Sequence, residues 1–289
     1  MTNAAVKAVL NRYGLRPNKA LGQNFLVDPA AVDKITAAVN PGSGDFILEI
    51  GPGLGALTMP LARSAARVTA VELDRTLAGV LELELKAAGL DVAVFRGDFL
   101  HMNIDEIAGQ ACNDSGEGPT FKIYGSLPYY ITTPIMRKIF NCGARPTLAA
   151  VVIQKEVADK MSALPGTRTS CPLALEAAYH ARIKTICELP PSCFYPQPEV
   201  QSRAVLLEMF DSPPVSSAKA DLFKVINAAF STRRKTLVNC LSQGLGISRE
   251  TASSAVAKCG FPPDIRGERL SLFDYDILTK KIFDNIYDV

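Results

Sequence analysis

Short apolar runs alternate with segments of helical periodicity along the first half of the chain, and this alternation restricts the possible folds most. The runs lie at 45–50, 66–74, 92–98, 120–126 and 147–154. Strands that are apolar throughout are covered on both faces, and strands separated by helices run parallel to one another. The sequence therefore predicts an α/β fold in which helices cover both faces of a parallel sheet.

The pattern changes near residue 210. Two prolines and three serines at 210–217 are typical of a linker, and the apolar residues beyond it recur at helical spacing. Ser271 and Asp274 have the spacing of a capping box at the start of a helix, and Asp28 precedes another helix with Pro29 at its first position. We expect two domains, 1–210 and 211–289, of which the second is small and all-helical.

Composition excludes several classes of protein. Seven cysteines without a CxxC pair and only two histidines argue against a zinc site and a disulfide framework. No apolar run reaches the ~18 residues of a membrane span, so we expect a cytoplasmic protein without a membrane partner. The net charge of +2 is small, but residues 1–27 carry four basic residues and no acid. A second basic cluster consists of Arg233, Arg234 and Lys235, and such clusters suit contact with a polyanion.

The stretch LEIGPGLGALT at 48–58 predicts a strand, a glycine turn and a helix. Gly51 and Gly53 allow the backbone to approach a ligand closely, and the following helix N-terminus favours negative charge. Glu72 ends the next predicted strand, 21 residues after Gly51, where a carboxylate accepts hydrogen bonds from ribose hydroxyls. These features predict a nucleoside-bearing cofactor without distinguishing a dinucleotide from S-adenosylmethionine.

Two further carboxylates favour S-adenosylmethionine. Glu49, just before the glycine turn, is placed either to hold a cationic ligand or to order the loop. Asp98, after the third strand, is placed either to accept from an adenine amino group or to cap a helix. A ligand with a ribose, an adenine and a cationic end matches all three acidic positions.

The stretch SLPYY at 126–130 follows the fourth strand and predicts the chemistry. An exocyclic base amine is a weak nucleophile, and acceptors that hold its N–H bonds stabilise the charge that develops on nitrogen. Ser126 and the Leu127 carbonyl, made rigid by Pro128, supply such acceptors, and Tyr129 offers a stacking face to a flipped base. Tyr130 is expected in the core. Phe194, in a proline-rich loop, is either an opposing stacking face or a buried structural residue.

The chain resembles the bacterial small-subunit (16S) ribosomal RNA adenine N6,N6-dimethyltransferases over nearly its whole length. The most specific motifs are KALGQNFLVD at 19–28, AFSTRRKTLVNCL at 229–241 and GERLSLFDY at 267–275. The resemblance implies cofactor contacts from Gln23, Asn24, Leu26, Gly51, Gly53, Glu72 and Asp98, with Ser126 shared between cofactor and target amine. The family usually has asparagine at the position of Ser126.

The resemblance further implies a fold and a function. We expect an N-terminal arm and a Rossmann-like S-adenosylmethionine-dependent methyltransferase domain in 1–210, and a helical RNA-binding domain in 211–289. The implied reaction is N6 dimethylation of two adjacent adenines in a small-subunit rRNA hairpin loop, and it is linked to ribosome assembly. The protein is expected to be a monomer that acts on the RNA or on the assembling 30S subunit. The alternatives are a large-subunit rRNA adenine methyltransferase and an RNA-binding assembly factor with weak or dispensable activity. An NAD-dependent dehydrogenase would leave SLPYY unexplained.

Overall fold

The predicted apolar runs form the strands of a mixed sheet in the computed structural model, which describes residues 1–64, 66–113, 120–167, 169–232 and 234–287. The chain divides into two compact units, Met1–Ala158 with Arg182–Met209, and Asp159–Ala181 with Phe210–Val289. Both the predicted domains and the compact units have a break at 209–211. The second unit also contains residues 159–181, which the predicted limits place in the first domain, so those limits stay a prediction.

The sheet is built around a parallel core. Its strands are β2 (Asp45–Ile50), β3 (Arg67–Glu72), β4 (Ala93–Arg96), β5 (Thr120–Ser126), β6 (Leu148–Gln154), β7 (Ala181–Leu189) and β9 (Ser202–Met209). They lie in the order β4-β3-β2-β5-β6-β9-β7. The pairs from β4 to β6 are parallel, and β9 is antiparallel to β6. All six residues of β2 are buried, as a central strand covered on both faces requires.

The helices of the first unit follow the strands. They are α1 (Asn3–Arg12), α2 (Pro29–Val39), α3 (Thr58–Arg63), α4 (Arg75–Ala87), α5 (Ile104–Asn113), α6 (Thr132–Phe140) and α7 (Lys155–Met161), the last of which extends into the second unit. The Asp28 carboxylate accepts from the amides of Ala30 and Ala31, and Pro29 is the first residue of α2, as predicted. Asp74 caps α4 in the same way, accepting from Thr76 and Leu77.

A small two-stranded sheet connects the N-terminal arm to the proline-rich loop. β1 (Phe25–Leu26) pairs antiparallel with β8 (Phe194–Tyr195), so that Leu26 lies opposite Phe194. Both side chains are buried in the core between α2 and the sheet. The arm is thereby fixed beside the glycine turn.

The second unit is all-helical in its described residues. It contains α8 (Pro172–His180), α9 (Lys219–Ala229), α10 (Leu237–Leu245), α11 (Arg249–Lys258) and α12 (Leu272–Tyr287). Leu175 and Tyr179 of α8 belong to the same core as Leu222 and Tyr275, which explains why 159–181 belong to this unit. The predicted capping box is present: the Ser271 amide donates to the Asp274 carboxylate at 2.8 Å and the Asp274 amide to Ser271 Oγ at 3.1 Å. Among the described helices, none combines the length and apolarity that a membrane crossing needs.

Candidate functional site

The glycine turn lies directly against the end of the neighbouring strand. Gly51, Gly53 and Gly55 have φ of 67°, 56° and 82°. A Cβ on Gly51 would lie 3.0 Å from the backbone oxygen of Ser126. Glycine therefore allows both the left-handed conformation and the approach of the turn to Ser126 at the end of β5.

Glu72 links the glycine turn to the start of α4. Its two carboxylate oxygens accept from the amides of Gly53 and Asp74, each at 3.0 Å. The residue is only 7% exposed, and burial raises the pKa of its carboxyl, although these hydrogen bonds oppose the rise. The predicted ribose acceptor thus also orders the loop.

Asp98 performs the capping role that the sequence left open as an alternative. Its Oδ1 accepts from the Leu100 amide at 2.8 Å, and Oδ2 lies 3.0 Å from His101 Nδ1. Lys138 of α6, which sequence reasoning missed, holds the same loop from the other side. Its Nζ donates to the carbonyls of Leu100, at 2.7 Å, and Met102, and lies 5.5 Å from the centre of the Phe99 ring.

The arm is held by polar contacts within itself and by contacts to Asp74 and Glu84, which are remote in sequence. Gln23 accepts from the Asn18 amide at 2.7 Å and donates to Asp74 Oδ2 at 2.8 Å. Asn24 donates to the Gly22 carbonyl at 3.1 Å. Farther along, Glu84 of α4 accepts from both Arg12 and Tyr13, at 2.8 and 2.9 Å.

The SLPYY segment turns sharply after β5. The Leu127 amide donates to the Val152 carbonyl at 3.0 Å, and the Pro128 carbonyl accepts from the Ile131 amide and Thr132 Oγ1 at 3.2 and 3.1 Å. The Tyr129 hydroxyl lies 2.7 Å from the buried Ser202 hydroxyl, and burial raises the pKa of Tyr129. The position of the Tyr129 ring is therefore set from both the backbone and the hydroxyl end.

The two remaining aromatic predictions have different outcomes. The expectation that Tyr130 lies in the core is wrong, because the residue is 56% exposed. In the short 3-10 turn Tyr129–Ile131 successive side chains point about 120° apart, so Tyr130 cannot share the direction of Tyr129. Phe194 is 1% exposed, as its structural alternative requires, and its stacking role stays a prediction.

A single pocket of about 1070 Å³, including its open mouth, brings these residues together. Its walls combine apolar side chains with a few polar groups, as is usual for small-molecule sites. The glycine turn, the arm, the loop after β4 and the SLPYY turn form its walls. The predicted residues that line it are Gln23, Asn24, Leu26, Gly51, Gly53, Glu72, Asp98, Ser126, Leu127, Pro128, Tyr129 and Phe194.

Glu49 lies deep in the first unit, behind the glycine turn. It is 1% exposed, and its Oε2 has no hydrogen-bond partner among the described residues. Burial raises the pKa of its carboxyl to about 8; the nearby Thr58 hydroxyl opposes the rise and Glu72 adds to it.

The second basic cluster lies in the second unit. Arg234 and Lys235 are exposed, and Lys235 Nζ donates to Gln243 Oε1 at 2.9 Å. Arg233 lies outside the described residues.

The sheet order and the glycine turn at the end of β2 define a methyltransferase fold. A solved dimethyladenosine transferase from Plasmodium falciparum superposes with a TM-score of 0.75, 21% identity and coverage of 91% of this chain and 98% of that one. The 23S rRNA methyltransferase ErmE has a TM-score of 0.67, also at 21% identity, with coverage of 90% and 100%. At 21% identity, the similarity to these two structures shows that the folds are alike and no more.

Sequence comparison identifies the family. The chain belongs to the ribosomal RNA adenine dimethylase family, whose model matches residues 14–258. A protein from Pelotomaculum thermopropionicum is 38% identical over 285 residues, which cover 97% of this chain and 96% of the relative. One from Moorella thermoacetica is 38% identical over 278 residues, covering 95% and 96%. Both are named ribosomal RNA small subunit methyltransferase A.

Proposed function

We propose that the protein uses S-adenosylmethionine to dimethylate the N6 amines of two adjacent adenines in a small-subunit rRNA hairpin loop, in the cytoplasm during ribosome assembly. The observation that carries the proposal is the match, over nearly the whole chain, to relatives named ribosomal RNA small subunit methyltransferase A. These names do not favour the large-subunit alternative.

The pocket has the donors and acceptors that S-adenosylmethionine would need. When bound, this cofactor supplies the methyl group on a sulfonium. Each oxygen of Glu72 has a second lone pair beyond the one used by a backbone amide, so the carboxylate can also accept from ribose hydroxyls. Asp98 keeps the same capacity toward an adenine amino group. Gln23, Asn24 and Leu26 of the arm, with Gly51 and Gly53, would close the pocket around the ligand.

The SLPYY turn would receive the target amine. Ser126 Oγ and the Leu127 carbonyl are the proposed acceptors, since the Pro128 carbonyl is already used by Ile131 and Thr132. These acceptors act most strongly as positive charge develops on nitrogen. Tyr129, anchored on Ser202, would hold the flipped base. Phe194 would stack on the opposite face of the flipped base, which requires that this buried ring become accessible.

The helical unit would bind RNA through its basic cluster. Arg234 and Lys235 are exposed, which phosphate contact requires, and we assign Arg233 to the same role from its place in the motif. The proposed partner is small-subunit rRNA or the assembling 30S subunit, bound by a monomer. The domain limits 1–210 and 211–289 are part of the proposal.

The decisive experiment identifies the modified nucleoside. Undermethylated small subunits and, separately, large subunits are incubated with the protein and methyl-labelled S-adenosylmethionine, and the RNA is digested for chromatography. We expect label in N6,N6-dimethyladenosine from small subunits only. Glu72→Ala, which lacks the proposed ribose acceptor, should transfer less label. Label in the large-subunit sample, or in another nucleoside, would contradict the proposal.

A further inference from the structure

Tyr130 is an exposed aromatic side chain beside the pocket. Neither the fold nor the proposed methyl-transfer step requires a tyrosine at this position. Its neighbours Pro128 and Tyr129 line the pocket, whereas Tyr130 is 56% exposed. Contact between a large aromatic ring and water is unfavourable in free energy, whereas a polar residue at the same place would not have this cost. Its position next to the proposed base-holding tyrosine therefore suggests a ligand-contacting role.

One edge of the ring lies near the N-terminal arm. A Cβ on Gly22 would lie 3.8 Å from both Cδ1 and Cε1 of Tyr130, and 4.0 Å from Cβ of Pro128. Glycine has no such atom, so a gap about the size of a methyl group separates the ring edge from Gly22, while much of the ring surface faces solvent. Gly22 and Pro128 both line the pocket, which places Tyr130 at its rim.

The arm near Tyr130 offers cations to an anionic chain. Of its four basic residues, Arg12 pairs with Glu84 at 2.8 Å and Lys7 lies over the Tyr195 ring. Arg16 and Lys19 are exposed, and the Gly22 amide donates to the Lys19 carbonyl at 3.0 Å, which ties Lys19 to the glycine near the ring. An aromatic face beside basic side chains is the arrangement that binds single-stranded nucleic acid.

We propose that Tyr130 is a stacking platform for the nucleotide next to the target adenine. The proposal rests on the proposed function. When one adenine is flipped toward Tyr129, its neighbour in the loop loses a stacking partner. Tyr129 and Tyr130 are consecutive but point in different directions, so one ring can hold the target base while the other covers the exposed face of its neighbour. Because the RNA strand keeps one direction past the two rings, Tyr130 would hold one target adenine while the other is methylated, and the next nucleotide on the same side in the other round.

The test compares the kinetics of matched variants on undermethylated small subunits. Tyr130→Ala should raise KM for the subunit by about 5- to 150-fold, the range for losing one stacked base, with KM for S-adenosylmethionine unchanged. Tyr130→Phe keeps the ring and should stay within about threefold of the natural protein. Phe95→Ala removes an exposed ring of the first unit that does not line the pocket, 40% exposed on the edge strand β4, and should leave KM unchanged.

A direct readout uses an RNA hairpin with 2-aminopurine beside the target adenine, whose fluorescence is quenched by stacking. Binding of the natural protein and Tyr130→Phe should quench it more than binding of Tyr130→Ala. Equal KM values and equal quenching for Tyr130→Ala and the natural protein would overturn the stacking platform, as would an equal rise in KM for Phe95→Ala. If the natural protein transfers no methyl group to the subunits, the proposed function is contradicted. Methyl transfer by the natural protein, with KM and quenching unchanged in Tyr130→Ala, contradicts only the stacking platform, so the two failures can be told apart.

Discussion

Replacing Glu49 by glutamine should change how the stability of the first unit depends on pH. Glu49 is the penultimate residue of β2, buried with Thr58 of α3, Tyr124 of β5 and Glu72 of β3 as its polar surroundings. The Tyr124 hydroxyl and Thr58 Oγ1 are also buried and lack partners among the described residues. No cation is among the groups that shift the pKa of Glu49, so burial favours its neutral form.

The sign and size follow from the pKa. The carboxyl has its ordinary value of 4.5 in the unfolded chain and about 8 in the folded one. Between these values the folded protein binds a proton that the unfolded chain has lost, so stability is complete below pH 4.5 and falls until pH 8. At 1.36 kcal/mol per pH unit, the whole loss is at most about 5 kcal/mol. Glu49→Gln has nearly the same shape as the neutral acid and does not titrate in this range.

We therefore expect Glu49→Gln to match the natural protein near pH 5 and to exceed its stability by several kcal/mol, at most about 5, at pH 8. Urea unfolding from pH 5 to 8, read by pulse-labelling hydrogen exchange of the peptide that contains β2, measures the first unit alone. Glu106→Gln, at an exposed glutamate of α5, is the control and should follow the natural protein. Parallel pH profiles for Glu49→Gln and the natural protein would refute a neutral buried Glu49.

The remaining predictions concern the proposed reaction. Ser126→Ala should slow methyl transfer with little change in RNA affinity. Ser126→Asn should equal or exceed the natural rate, most clearly for the second methyl. Single-turnover assays that separate mono- from dimethyladenosine measure both rates. Lys138→Met keeps the side-chain stem but loses the bonds to the Leu100 and Met102 carbonyls, so KM for the cofactor should rise more than kcat falls, with recovery in Lys138→Arg. Replacing Arg233, Arg234 and Lys235 by alanine should lower the slope of log affinity against log salt by about 0.7–0.9 per lost contact; an unchanged slope would make them ordinary surface charges.

Local sequence signals predicted the elements that position the site. The predicted strands 45–50 and 120–126 coincide with β2 and β5, and the predicted start of α2 at Pro29 is confirmed. In each case the information lies within a few residues: an apolar run bounded by turn residues, or an aspartate followed by proline.

Features that depend on packing between distant segments were not predictable in this way. Helical periodicity indicates that α8 has an apolar face but not which core receives it, and Leu175 and Tyr179 pack in the second unit. Likewise, SLPYY indicates a turn but not the direction of each ring, which for Tyr129 depends on its contact with Ser202, 73 residues away. The Gln23–Asp74 bond and the Lys138 contacts join residues 51 and 36–38 positions apart, and no local pattern marks them.

The two carboxylates that line the pocket are already hydrogen-bonded within the protein. Glu72 binds the amides of Gly53 and Asp74, and Asp98 binds that of Leu100. For Asp98, the alternatives of adenine contact and helix capping, which the sequence leaves open, are therefore compatible, because a carboxylate has about four acceptor positions and a backbone amide uses only one. Glutamine at position 72 would turn a donor toward one of two backbone donors, so even this small change must disturb either the glycine turn or the start of α4. A ligand-binding carboxylate that also holds its own loop keeps the site ordered before the ligand arrives, which lowers the entropy lost on binding.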